Sequence, residues 1–162
     1  MSKEALLKGK KILIVDDEPD VLDTLEELLS MCDITRASSF DEASRLLENE
    51  KFEFAILDIM GVAGYDLLKI ASKKNVISVM LTAHALSPDN VVRSYKEGAA
   101  FYVPKEKMAE IETYLNDILD SLEKGKNTWS RWFERLGTYC EQRFGPEWQK
   151  DDKISWDKFP FH

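Results

Sequence analysis

At 162 residues, with 44% hydrophobic and 32% charged side chains, the chain has material for one ordinary domain with a real core and a short appendage. A net charge of -8 argues against nucleic acid as a partner, because phosphate binding needs a basic face. No apolar run nears the roughly 18 residues of a membrane span, and the short run Ile12–Val15 is no signal-peptide core, so a cytoplasmic protein is expected.

In chain order, Lys11–Val15 reads as a short strand running into Asp16-Asp17-Glu18-Pro19. Pro19 suits the first turn of a helix, where its missing N–H costs nothing, and acidic residues there favour the positive end of the dipole. Val21, Leu22, Leu25, Leu28 and Leu29 then recur at helical spacing over 19–31. A second strand is expected over Asp33–Ala37. Ser39 and Glu42 have the capping-box spacing that opens a helix running to about Glu50.

The run Phe54–Met60 is too short for a good helix and fits a strand covered on both faces. It delivers Asp58 to its carboxyl end, where open parallel sheets place their chemistry. Gly61 and Gly64 mark a loop, followed by a helix over Tyr65–Lys73. Val76–Leu81 is the fourth strand, ending at Thr82. Ser87-Pro88 opens a helix that stops at Gly98. Ala100–Val103 is the fifth strand, and a long helix is expected over about 107–124. Five strands alternating with five helices call for parallel crossovers and a sheet covered on both faces.

Asp16, Asp17, Asp58, Thr82 and Lys105 all fall at one edge of such a sheet. Three carboxylates in one place repel unless a cation is present. An oxygen-only donor set suits Mg²⁺, which takes one or two carboxylates, keeps waters and shares a phosphate. A lysine and a hydroxyl opposite would hold phosphoryl oxygens, so the set is equipped to move a phosphoryl group onto a carboxylate. Each motif alone has a plainer reading. An Asp-Asp pair after a strand is often a solvated turn, and an Asp at a strand end is often a helix cap.

Taken together, four segments carry a resemblance: Ile-Leu-Ile-Val-Asp-Asp-Glu-Pro (12–19), Ala-Ile-Leu-Asp-Ile-Met (55–60), Val-Met-Leu-Thr-Ala (79–83) and Gly-Ala-Ala-Phe-Tyr-Val-Pro-Lys (98–105). Over about residues 9–124 the chain resembles the receiver domain of bacterial two-component response regulators. The resemblance implies a flavodoxin-like, doubly wound five-stranded parallel sheet in 2-1-3-4-5 order. It implies that Asp58 accepts a phosphoryl group from a sensor histidine kinase or phosphotransfer protein. Asp16, Asp17, Asp58 and the backbone carbonyl of Met60 would bind Mg²⁺, with Thr82 and Lys105 on the phosphoryl oxygens. Tyr102 would be the aromatic that turns inward when Thr82 moves. Beyond slow phosphorylation and dephosphorylation of itself, the protein would not be an enzyme.

The sequence departs from that pattern in its loops. Gly61 and Val62 stand where family members usually carry Met-Pro, and Gly64 comes about two residues early. Glu106 follows Lys105 where a proline with a cis bond is usual; a cis bond before a non-proline residue costs about 3 kcal/mol or more, so a trans Lys105–Glu106 bond is expected. These departures motivate the alternative of a receiver-like interaction module independent of phosphorylation. A phosphatase of another α/β family would need a second carboxylate two residues after the nucleophile, and position 60 is methionine.

The composition shifts at Gly125, which divides a receiver domain (1–124) from an extension (125–162). All four tryptophans lie in the extension, and its seven basic and six acidic side chains nearly cancel. It is too short and too neutral for a DNA reader. Trp129, Trp132, Phe133, Leu136, Tyr139, Cys140 and Phe144 fall on one face of a helix over 128–144 that Gly145-Pro146 ends. Such a stripe either packs back on its own domain or forms a surface for a homodimer or a downstream protein. Residues 150–162 read as an aromatic arm. Cys32 and Cys140, far apart and without CxxC spacing, read as structural thiols.

Overall fold

The computed structural model describes residues 6–83 and 87–145; the aromatic arm lies outside the described residues. Five parallel strands form one sheet in the order β2-β1-β3-β4-β5. They are β1 (Lys11–Val15), β2 (Asp33–Ala37), β3 (Phe54–Asp58), β4 (Ile77–Thr82) and β5 (Phe101–Pro104). The central strand β3 is buried at every position, as expected for a strand with helices over both faces. Between the strands run α1 (Pro19–Leu28), α2 (Phe40–Asn49), α3 (Gly64–Lys73) and α4 (Pro88–Lys96), and α5 (Ile111–Glu123) follows β5. The expected caps are in place. Ser39 Oγ accepts the Glu42 N–H of α2 and Ser87 Oγ accepts the Asn90 N–H of α4, each worth about 1 kcal/mol.

Two boundaries differ from the periodicity. The first helix stops at Leu28 rather than Met31, because Leu29 leaves the helical conformation while its N–H still bonds the Leu25 carbonyl. The helix expected from about Lys107 begins as a six-residue 3₁₀ segment, Lys105–Glu110, and becomes α-helical only at Ile111. Apolar spacing does not separate the two at a helix start, since both put every third residue near one face.

Beyond α5 the chain turns at Gly125 into α6 (Thr128–Phe144). Its apolar stripe faces inward: Trp129, Trp132, Leu136 and Cys140 are buried in the same core as the sheet. This helix lies along β5, an edge strand with backbone groups to satisfy. Thr128 Oγ1 donates to the Ala100 carbonyl (2.7 Å), Trp129 Nε1 to Ala99 (2.9 Å) and Trp132 Nε1 to Tyr102 (2.7 Å). Tyr95 of α4 meets Trp129 edge-on at 5.8 Å. On the α5 side, Asp117 accepts from Arg131 and Arg135, both at 2.7 Å. Burying a Trp removes about 150–250 Å² from water, an upper estimate of about 4–6 kcal/mol at about 25 cal/mol/Å². Asp117 is buried, so desolvation offsets most of what its two arginine pairs gain. Aromatic burial therefore holds α6 down, and the polar contacts set its register.

Candidate functional site at the carboxyl edge of the sheet

β1 ends at Val15 and hands the chain to Asp16; β3 ends on Asp58, in register with Leu81 of β4; Thr82 of β4 pairs with Pro104, one residue before Lys105. The parallel register therefore brings five positions, far apart in sequence, to one edge. Asp16, Asp58 and Thr82 are buried there. The ammonium of Lys105 lies 2.9 Å from Asp16 Oδ2, 3.1 Å from Glu18 Oε1 and 3.5 Å from Asp58 Oδ1.

Each buried carboxylate is held in the same way. One oxygen accepts a backbone N–H a little further along the chain: Asp16 Oδ1 from Glu18 (2.9 Å), and Asp58 Oδ2 from Gly61 (3.1 Å). The other faces Lys105. A cleft of about 300 Å³ opens above them, lined by Asp17, Glu18, Asp58, Met60, Gly61, Ala83 and Lys105. Met60 projects outward with 67% of its surface exposed.

One cation among several acids leaves the charge unbalanced. Burial pushes the Asp16 carboxyl above its ordinary range, against the pull of the Glu18 amide and Lys105, and the neighbouring Asp58 adds to the rise. Asp58 is likewise raised, chiefly by burial, with Lys105 and the Gly61 amide opposing. For Lys105 burial alone would depress the ammonium, but its hydrogen bonds to Asp16 and Glu18 outweigh that and raise it. Carboxylate oxygens of Asp16, Asp17 and Glu18 lie within 4.8 Å of one another. Hard oxygen donors with excess negative charge at a partly open cleft fit a divalent cation such as Mg²⁺.

A family model for the response regulator receiver domain matches residues 12–116. The chain belongs to this family. Among relatives, it is 34% identical over 103 residues to the two-component response regulator ARR18 of Arabidopsis thaliana, covering 60% of this chain and 16% of that protein. It spans only a fraction of such relatives, which are much longer. A crystal structure of a CheY-like receiver domain protein from Methanospirillum hungatei is 29% identical, with a TM-score of 0.65 over 73% of this chain and 99% of that one. A response regulator from Burkholderia pseudomallei, solved with a phosphorylated aspartic acid, calcium ion and citrate, is 29% identical over 60% of each chain, with a TM-score of 0.55.

In this receiver all the expected site residues stand at one edge except Tyr102, which lies further back in the sheet, paired with Met80. Tyr102 is fully buried and hydrogen-bonded to the Ser87 backbone, and burial drives its phenol well above the ordinary value. The described residues contain no cis peptide bond, so Lys105–Glu106 is trans as the sequence predicts. Two participants escaped the sequence reading. Glu18 pairs with Lys105; its place in the acidic run 16–18 was the available signal. The amide of Gly61 on Asp58 had no signal in residue identity, because any residue but proline carries that donor.

Proposed function

We propose that this receiver takes a phosphoryl group onto Asp58 from a phosphohistidine of a sensor kinase or phosphotransfer protein, and passes the change on through protein contacts. The observation carrying the reading is that Lys105 sits against both Asp16 and Asp58 at the mouth of the cleft. A carboxylate oxygen of Asp58 forms the new bond to phosphorus; the bond from phosphorus to the donor imidazole nitrogen breaks, and its electron pair leaves with the imidazole. Lys105 and the Thr82 hydroxyl offset charge on the phosphoryl oxygens as they approach. Asp16, Asp17, Asp58 and the Met60 carbonyl would hold Mg²⁺, which would supply the positive charge that lets the phosphoryl group and the carboxylates share the site. The protein is then a cytoplasmic signalling protein, with catalysis confined to its own phosphoryl group.

The output runs through α6 in this reading. Trp132 grips the carbonyl of Tyr102, and Tyr102 lies two residues before Pro104, where β5 ends and Lys105 follows. A shift of β5 is therefore felt by α6 directly.

The test is incubation with Mg²⁺ and acetyl phosphate followed by mass spectrometry. A labile adduct is expected on the wild type and none on Asp58→Asn. A second reading, a phosphorylation-independent binding module, is favoured by the grip of Asp16 and Glu18 on Lys105, which leaves it less free to meet phosphate. Absence of any adduct, with Mg²⁺ binding intact, decides for that second reading.

A further inference from the structure

The loop from Ile59 to Ala63 is wound tightly. Ile59 and Val62 are buried as pins, while Met60 and Gly61 lie outward over the cleft. The Gly64 N–H closes the loop on the Ile59 carbonyl at 3.0 Å. A β-carbon on Gly64 would stand 2.3 Å from the Asp58 carbonyl oxygen, so only glycine lets α3 start this close to the strand end.

That winding puts Gly61 between two carboxylates that come from different strands. Its N–H donates to Asp58 Oδ2 at 3.1 Å. Its bare Cα faces Asp17: a β-carbon there would lie 2.4 Å from Asp17 Oδ1, 2.5 Å from Cγ and 2.7 Å from Oδ2. The Asp17 carboxylate therefore occupies the place of the missing side chain. Asp17 is otherwise exposed, and an exposed aspartate samples several rotamers. The seat on Gly61 leaves room for its carboxylate at the wall of the cleft.

We propose that Gly61 is a positioning residue for the phosphoryl-accepting site. Its amide holds one oxygen of Asp58, leaving Oδ1, on the Lys105 side, to meet the incoming phosphorus. Its missing side chain seats Asp17 as a ligand for the divalent cation.

The inference rests on the phosphoryl-acceptor reading, and the experiment separates the two. Mg²⁺ affinity is measured by titration calorimetry and adduct formation from acetyl phosphate by mass spectrometry, on the full chain. The set is wild type, Gly61→Ala, Asp17→Asn and the double variant, with thermal melts as the control for folding. Gly61→Ala keeps the amide and fills the seat, so Mg²⁺ affinity should fall about 10- to 100-fold, the range seen when a residue that orients a metal ligand is removed. Because Gly61 acts through Asp17, the same change in the Asp17→Asn background should cost almost nothing more. Unaltered Mg²⁺ affinity in Gly61→Ala overturns the role, as does an equal extra loss in the double variant. Wild type that binds Mg²⁺ but forms no adduct sinks the phosphoryl-acceptor reading instead. Should Gly61→Ala fail to fold, Gly61→Ala with Asp17→Ala removes the clash. Recovery of the fold then supports the seat, and continued misfolding overturns it.

Discussion

At the carboxyl edge of the sheet, two buried carboxylates share one ammonium group with a third acid. At β5 and the two residues leading into it, three carbonyls each receive a donor from α6, inside an aromatic layer. Both regions are buried, but burial acts with opposite sign. At the carboxyl edge it opposes the charged state that the chemistry needs, and Asp16 and Asp58 are raised as a result. Under α6 it removes apolar surface from water and strengthens hydrogen bonds that are already matched. One region spends stability on a reactive arrangement, and the other supplies it.

The largest expected effect tests the second half of that contrast. Trp132 is fully buried, and Trp132→Ala should cost about 3–5 kcal/mol through the cavity and lost contacts, read as a lowered urea midpoint. Trp132→Phe keeps most of the ring but removes the indole donor to the Tyr102 carbonyl, a smaller cost of about 0.5–1.5 kcal/mol. Amide exchange in α6 should speed up in both variants. A loss below about 1 kcal/mol in Trp132→Ala would mean that α6 contributes little to holding the sheet edge, and the contrast would fail.

Asp58→Asn should move stability the other way, by a smaller amount. A carboxyl raised in the folded state contributes stability that is present below its unfolded value and lost as pH rises through its folded value. At neutral pH, without divalent cation, Asp58 is on the costly side of that window. The amide removes the charge at nearly the same shape, so the metal-free variant should melt above the wild type at pH 7. The gain should shrink as pH falls through the carboxylate range and the wild-type side chain takes up its proton. A variant less stable than wild type at pH 7 would show that Lys105 more than offsets the burial of Asp58.

How far the sequence foretold these two regions differs for a physical reason. The alternation of strands and helices, the placing of Asp16, Asp58 and Lys105 at strand ends, and the two serine caps follow from local patterns: apolar runs, turn residues and capping spacings. The strand order came only with the resemblance to the receiver family. The inward-facing residues of α6 were legible too, as a stripe of aromatics at helical spacing. What covered that stripe was not. Periodicity shows that a face must be buried and is silent on its partner, so packing back on its own domain and docking to another chain both stayed open. The indole bonds to Ala99 and Tyr102 join a helix side chain to a strand backbone, and a backbone carbonyl looks the same in every residue. The 3₁₀ turn over Lys105–Glu110 and the grip of Gly61 on Asp58 escaped for the same reason, being backbone events.

The smallest effect offers a way to watch α6 leave β5. Burial alone pushes the Cys140 thiol up to about 12, and the side chain is fully enclosed under α6. Thiolate, the reactive form, is therefore scarce at pH 8, and the reagent has no path to it. Cys32, half-buried and raised to about 11 by burial and Glu112, serves as the internal comparison. Iodoacetamide should modify Cys140 only through opening of α6, and Trp132→Ala should speed that reaction far more than the reaction at Cys32. The same shift fixes a pH dependence. A thiol whose value is raised on folding stabilises the fold below its unfolded value near 9, and that contribution drains away as pH climbs towards 12. Peptide mapping of the labelled protein between pH 8 and pH 10 therefore reads both terms at once. If Cys140 reacts as fast as Cys32 in the wild type, α6 is open much of the time, and the burial contrast drawn between the two edges does not hold in solution.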